Sequence, residues 1–251
     1  MPGQTPCDLD PLVLYARELG VELTAAACQR LERLVSLLLE FNERVHLTSV
    51  VDLKEIIDRH LSDSIALASF LSPSARRIID IGSGSGFPAL PLAILRPETH
   101  FTLVESNGRK VAYLREASRS LGLSNVTVEG ERVEIVARDP RHREIYDLAI
   151  ARAFASLPVV LECSLPLLSI GGRLIAPRGC HALDEALQAT GIPELLGGEF
   201  AGVGRYRLLS GVELETVVVV KTTPSPARYP RRPGLPARRP LTCGKCGKTC
   251  G

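Results

Sequence analysis

Between residues 8 and 71 apolar positions recur at helical intervals. Ala27, Leu31, Leu34, Leu38, Phe41 and Val45 follow one another at spacings of four and three, a single stripe along one helix. Thr24 stands where such a helix needs an N-cap. A further helix is expected from about Asp52 to Leu71, where Ser72-Pro73 stops it. The connector between them, Asn42 to Val51, has no pattern that fixes its backbone. After Arg76 the period changes. Arg77-Ile78-Ile79-Asp80-Ile81 is a short apolar run entering a glycine-rich turn, and similar runs occupy His100–Glu105, Asn125–Glu129, Tyr146–Ala151 and Arg173–Ala176. Helical patterns separate them, with Asn107 and Ser156 as candidate caps, Gly122 as a stop and Pro158 inside a first turn. Strands alternating with helices imply an α/β fold, a mostly parallel sheet covered on both faces. Two last runs, Val203–Leu209 and Glu213–Lys221, meet across Ser210-Gly211 and predict an antiparallel edge.

The pattern divides the chain into a helical region (1–75), a sheet domain (76–222) and a tail (223–251) rich in Pro, Arg and Gly that reads as extended. Charge sharpens that division. The net charge is +2, yet residues 221–251 hold eight Lys/Arg and no Asp/Glu, leaving 22 basic and 28 acidic groups before them. A basic tail on a mildly acidic body points to an anionic macromolecular partner or to a solvated terminus. Hydrophobic residues make up 45% and charged residues 23%, ordinary for a globular chain. No apolar run approaches the ~18 residues of a membrane span. The opening MPGQTPCDLD lacks the features of a signal peptide, so a cytoplasmic location with no membrane partner is expected. An odd number of cysteines, seven, argues against a disulfide framework.

The sharpest local signal is Asp80-Ile81-Gly82-Ser83-Gly84-Ser85-Gly86-Phe87-Pro88, three alternating glycines between a strand and a helix. Such a loop lets backbone approach a ligand closely, at the place where a doubly wound sheet binds nucleotides. The dinucleotide fingerprint G-x-G-x-x-G would put its third glycine at 87, which is Phe87; the glycine is at 86 instead. G-x-G-x-G is the form seen in enzymes that bind S-adenosylmethionine. Glu105, ending the next strand, stands where a carboxylate would grip ribose hydroxyls. Beyond the third strand, Val133 is a candidate to pack on a purine, and Glu134 or a backbone N–H to meet its polar edge; an acidic first turn of a surface helix is the alternative.

With these residues in view, the chain resembles the RsmG (GidB) family of bacterial 16S ribosomal RNA methyltransferases. The resemblance rests on IIDIGSGSGFPALPLAI (78–94), TLVESNGRKVAYLREA (102–117) and IARAFASLP (150–158), with RHLSDS (59–64) and YPRRPGLPARRPL (229–241) in support. It implies a Rossmann-like methyltransferase fold, S-adenosyl-L-methionine as cofactor and transfer of methyl to N7 of one guanine, guanine-527 in standard ribosomal numbering. The implied partner is 16S ribosomal RNA or the small subunit, with the protein expected as a monomer. Carried over by position, cofactor contacts fall on Gly82, Gly84, Phe87, Val133, Glu134 and Arg152, with Glu105 on the ribose. The family usually has Trp and a second Asn in the stretch here reading Phe41-Asn42-Glu43-Arg44-Val45-His46-Leu47-Thr48, and Lys where this chain has Arg178.

Guanine N7 carries no proton, so no general base is demanded and no catalytic residue is required beyond positioning. Arg152, just past the fourth strand, is the one candidate; it would pair with a cofactor carboxylate or an RNA phosphate, or else form a salt bridge at a strand end. His60 and Asp63 share a helix face and are candidates for a buried pair, His60 reading as structural. RNA contacts are expected from Arg178, Arg228, Arg231, Arg232, Arg238 and Arg239, with Tyr229 stacking on a base. On this reading the tail serves RNA alone, and its deletion spares cofactor affinity. Cys243, Cys246 and Cys250 have the spacing of part of a zinc site but lack a local fourth ligand. A nicotinamide oxidoreductase and a non-catalytic assembly factor are the other functional readings.

Overall fold

The computed structural model describes residues 8–242, so the zinc candidates Cys243, Cys246 and Cys250 lie outside the described residues. Two helices come first, α1 (Asp10–Glu18) and α2 (Ala25–Val45). The Thr24 hydroxyl accepts from the Ala27 N–H at 3.2 Å, capping α2 as its sequence predicts. Along α2, Leu31, Leu34 and Leu38 are wholly buried, while Phe41 and Val45 at its end are half-buried. Asp52 caps the next helical stretch by accepting from the Glu55 N–H at 3.0 Å. That stretch is not one regular helix. It runs through α3 (Leu53–Ile56), a wide π-helical turn (Ile57–Ser62), α4 (Asp63–Leu67) and a tight turn at Ala68–Phe70. A π-turn adds a residue to the helical ring and is common at functional sites; this one carries His60.

The sheet follows as β1 (Arg77–Ile81), α5 (Ala89–Leu95), β2 (His100–Val104), α6 (Gly108–Ser120), β3 (Val126–Glu129), α7 (Val133–Val136), β4 (Tyr146–Ile150), α8 (Leu157–Ser164) and β5 (Leu168–Gly179). It closes with α9 (Ala182–Gln188), α10 (Ile192–Leu195), β6 (Gly198–Arg207) and β7 (Glu213–Lys221). The strand order is β3-β2-β1-β4-β5-β7-β6. The first five strands are parallel, and β7 is antiparallel to both β5 and β6. The predicted antiparallel edge is thus present, although β6 ends at Arg207 and the turn is the wider Leu208–Val212. A dinucleotide fold of order 3-2-1-4-5-6 has no such reversed strand inserted beside β5. Asn107 caps α6 through the N–H groups of Arg109 and Lys110, whereas Ser156 precedes α8 without a side-chain cap. β5 is much longer than its apolar centre suggested.

Alternate residues of the central strands feed two cores. On one face Ile78, Leu103, Leu148 and Ile150 pack with α2, α5 and α6, so the N-terminal helices share a continuous core with the sheet. On the other, Ile79, Val104, Ala149, Val217 and Val219 pack with α8 and with Tyr229.

Tyr229 brings the main correction to the sequence reading. Residues 223–242 are not an extended arm; they fold back across the second core and form a short helix, α11 (Leu235–Arg238). Tyr229 is 7% exposed, so its ring is a core residue rather than a platform for a base. Arg231 is equally committed. Its backbone N–H and Nε donate to Oε1 of the fully buried Glu162 at 2.8 Å, and Nη2 donates to Oε2 at 2.6 Å. A carboxylate wholly removed from water must be paired, which explains why this arginine turns inward onto Glu162 instead of extending from the surface as the sequence suggested. Arg178 is also corrected. Its side chain is 7% exposed and Nη1 donates to the Ala155 carbonyl at 2.6 Å. Burial lowers its pKa from the usual guanidinium value. Arg228, Arg232, Arg238 and Arg239 remain exposed.

Leu34 joins the helical region to the sheet core, and Leu34→Ala is expected to destabilise the protein by about 3 kcal/mol. The shift of the urea midpoint at unchanged slope measures it.

Candidate cofactor site

In this topology the strand order reverses between β1 and β4, and ligands of open α/β sheets bind at such a point beyond the C-terminal strand ends. A cleft of about 410 Å³ lies there, within the ~300–1,000 Å³ typical of small-molecule pockets. Gly82, Gly84, Phe87, Glu105, Val133, Glu134 and Arg152, the seven cofactor candidates of the sequence, all line it. The fold gathers them from four loops.

The glycine loop is held by backbone and by one carboxylate. Gly82 and Ser83 both donate N–H to the Val104 carbonyl, at 2.9 and 3.0 Å, continuing the β1–β2 pairing past the strand end. Gly82, Gly84 and Gly86 have φ of 71°, 54° and 84°. A Cβ on Gly82 would lie 2.5 Å from the Phe154 ring, so this position needs glycine for both conformation and space. Glu105 Oε2 accepts from Gly84 N–H at 3.0 Å, and Oε1 accepts from Asn107 N–H at 2.8 Å. The residue expected on a ribose therefore also fixes the loop while lining the cleft.

Phe87 is 4% exposed and stacks on the His60 ring, centroids 5.0 Å apart. The two candidates His60 and Asp63 meet through Arg152 rather than directly. Arg152 Nη1 forms a salt bridge with Asp63 Oδ2 and donates to the Arg59 carbonyl at 3.3 Å, while Nη2 lies 3.4 Å from His60 Nδ1. Tyr206 of β6 donates to the other Asp63 oxygen at 2.8 Å, and Thr48 Oγ1 is 3.0 Å from His60 Nε2. Burial first and then the Arg152 charge lower the His60 pKa to about 4, so its ring is neutral near pH 7. Arg152 thus has a structural partner and a place on the cleft wall at once. Val133 faces the cleft as expected. Glu134 is 3% exposed, and its carboxylate is taken by protein: Oε1 accepts from Arg132 Nη2 at 3.0 Å and from Gly234 N–H at 2.8 Å. The alternative of a solvated acidic turn is excluded, and a purine edge would find the Glu134 side chain already engaged.

Leu47, Ala153 and Phe154, which are not among the cofactor candidates of the sequence, also line the cleft. Leu47 reaches the cleft because His46 takes a left-handed conformation (φ 51°) at the end of α2, while Asn42 Oδ1 accepts from the N–H groups of Leu47 and Thr48 at 2.7 and 2.9 Å. The Asn42 side chain in Phe41–Thr48 was the available signal, since asparagine caps turned backbone. Ala153, also left-handed (φ 51°), and Phe154 form the wall above Gly82. Asp80 lies beneath the loop, 2% exposed, with Oδ2 lacking a partner among the described residues. Burial pushes its pKa up to about 7, against the pull of Ser83 and Arg152.

These features define the class of fold, a Rossmann-like α/β sheet with a ligand cleft at its switch point. A solved S-adenosylmethionine-dependent methyltransferase from Aquifex aeolicus superposes with a TM-score of 0.52 at 16% identity, covering 67% of this chain and 93% of its own. The model of the GidB family, rRNA small subunit methyltransferase G, matches residues 27–201. Proteins named ribosomal RNA small subunit methyltransferase G are 46% identical in Roseiflexus castenholzii, over 93% of this chain and all of that one, and 39% identical in Deinococcus radiodurans, over 94% of each. The chain belongs to this family.

Asp80 gives the site a pH signature. Its pKa in the folded protein lies above the usual 3.8, so the free site is protonated there below about pH 7. A ligand of net positive charge favours the ionised carboxylate. Affinity for S-adenosylmethionine is therefore expected to rise from pH 6 to pH 8 and to lose that dependence in Asp80→Asn; calorimetric titration across the range measures it.

Proposed function

We propose that this member of the rRNA small subunit methyltransferase G family transfers a methyl group from S-adenosylmethionine to N7 of one guanine in 16S ribosomal RNA. The observation that carries the reading is the cleft itself: a loop of three left-handed glycines, closed by a carboxylate one strand away, at the switch point of a sheet with a reversed strand beside β5. Relatives over nearly the whole chain bear the name of a small-subunit RNA methyltransferase.

The residues present fit the cofactor. Gly84, which lines the cleft, has no side chain near it to block a close approach of a ligand to the loop backbone. Glu105 would take ribose hydroxyls, Val133 the face of the purine, and Phe87 and Arg152 the end of the cleft nearest the substrate. When bound, S-adenosylmethionine supplies a methyl group already activated on a sulfonium sulfur. Guanine N7 offers an in-plane lone pair with no proton to remove. The residues around the cleft therefore have to orient and desolvate rather than exchange protons, and orientation supplies ~7–11 kcal/mol of such a barrier. His60, neutral near pH 7, suits that role by supporting Phe87 and Arg152 instead of acting as a base.

N7 faces the deep major groove of A-form RNA, which side chains cannot enter, so the target guanine must be in a loop or opened element. Exposed Arg228, Arg232, Arg238 and Arg239 supply phosphate contacts beside it.

Incubating the protein with unmethylated small subunits and S-adenosylmethionine is expected to add one methyl to a single 16S guanine and make that site cleavable by borohydride and aniline, the signature of 7-methylguanine. Methylation at another base atom, or of 23S RNA alone, would overturn the reading.

A further inference from the structure

The C-terminal segment makes contacts that a surface arm does not need. Its start is fixed by buried Lys221, whose Nζ donates to the Leu165 carbonyl at 2.7 Å and to the Ser225 hydroxyl. Its middle is held by two arginines that spend their donors on its carbonyls. Arg143 donates to Tyr229 and Ser225 oxygens at 2.9 Å, and Arg138 to Pro230 oxygen at 2.8 Å. Its end is pinned by Arg231 on Glu162, with Arg231 Nη2 also donating to the Arg239 carbonyl at 2.7 Å. Three residues beyond Arg231, Gly234 takes φ 79°, a left-handed value that suits glycine, and so aims its N–H at Glu134 Oε1.

Glu134 and Arg132, the pair so engaged, both line the cofactor cleft. Glu134 sits in α7, which has only four residues and cannot hold its own first turn in place. The Glu134 pKa is held below the usual carboxylate range by Arg132 and the Gly234 N–H, despite the opposing effect of burial.

We propose that the segment from Arg228 to Arg239 buttresses the wall of the S-adenosylmethionine site formed by Arg132, Val133 and Glu134, with Arg231 as its pin and the Gly234 N–H as the group that positions Glu134 and, through it, Arg132 and Val133. Arg231 and Glu162 are positioning residues: neither lines the cleft, and they act through the segment that supports Glu134. This rests on the cofactor reading above, and it reverses the expectation that losing the tail spares cofactor affinity.

The test is a Glu162→Gln/Arg231→Ala pair, which removes the pin without leaving one buried charge unpaired. With wild-type protein binding S-adenosylmethionine as the control, the double variant is expected to lose about tenfold in cofactor affinity, the effect of one charge-assisted hydrogen bond. Its KM for S-adenosylmethionine should rise likewise, while kcat at saturating substrates stays within about twofold. A folded variant with wild-type cofactor affinity would overturn the proposal, and so would a kcat at saturating substrates that falls as far as the cofactor affinity, the mark of general loosening. Should the variant fail to fold, hydrogen exchange on the wild type decides. Adding S-adenosylmethionine is expected to slow exchange of the Gly234 amide and of residues 133–136 together; protection of 133–136 with Gly234 unchanged would contradict the proposal. A wild-type protein that does not bind S-adenosylmethionine would instead defeat the cofactor reading itself.

Discussion

One carboxylate ties the two strands that make the site. Glu105 follows the last residue of β2, and its oxygens accept from Gly84 in the loop after β1 and from Asn107 at the start of α6. Backbone pairing brings Gly82 and Ser83 to Val104, and Glu105 carries the same attachment one step farther, where no strand remains. A loop of three glycines has the most conformational freedom to lose on ordering. Without a fixed acceptor it would sample many shapes, and a ligand would have to select one of them at a cost in affinity. With Glu105 in place the backbone presents one shape, bounded by Phe154 on one side and by α6 on the other.

A second set of constraints closes the cleft from outside the sheet domain. Arg152 leaves β4 and is caught by Asp63 at the beginning of α4, while Asp63 is itself held by Tyr206 of β6. The π-turn before α4 puts His60 against Phe87 and brings Thr48 to His60. The N-terminal helices are therefore part of the site as well as part of the core. On the opposite wall, Glu134 is steadied by the C-terminal segment. The cleft has supports from the N-terminal helices and from the C-terminal segment, which is why a small sheet domain alone does not account for the pocket.

Much of this was legible in the sequence because the signals were local. The stripe of α2, the Thr24 and Asn107 caps, the strand alternation and the displaced third glycine each depend on a few neighbouring residues, and the structure places all seven cofactor candidates in one cleft. What escaped depended on distant partners. Arg231 and Tyr229 look like RNA ligands until Glu162 and the second core, some 70 residues earlier in the chain, are seen to claim them. Arg178 reads as a surface cation, but β5 is long enough to carry it inward to the Ala155 carbonyl. A Pro- and Arg-rich composition signals an extended segment in isolation; here Arg138 and Arg143 supply the donors that its unpaired carbonyls need. Leu47 was hidden for a different reason, since a single left-handed residue, His46, redirects the chain toward the cleft.

The account is tested most directly by titrating S-adenosylmethionine into Glu105→Gln, a change that keeps size and one carbonyl oxygen but removes charge and the second acceptor. Calorimetry should give a cofactor affinity at least about tenfold weaker than wild type, with the melting temperature little changed. Wild-type affinity in the folded variant would mean that the loop keeps its shape and the cofactor its grip without this carboxylate, contradicting the account.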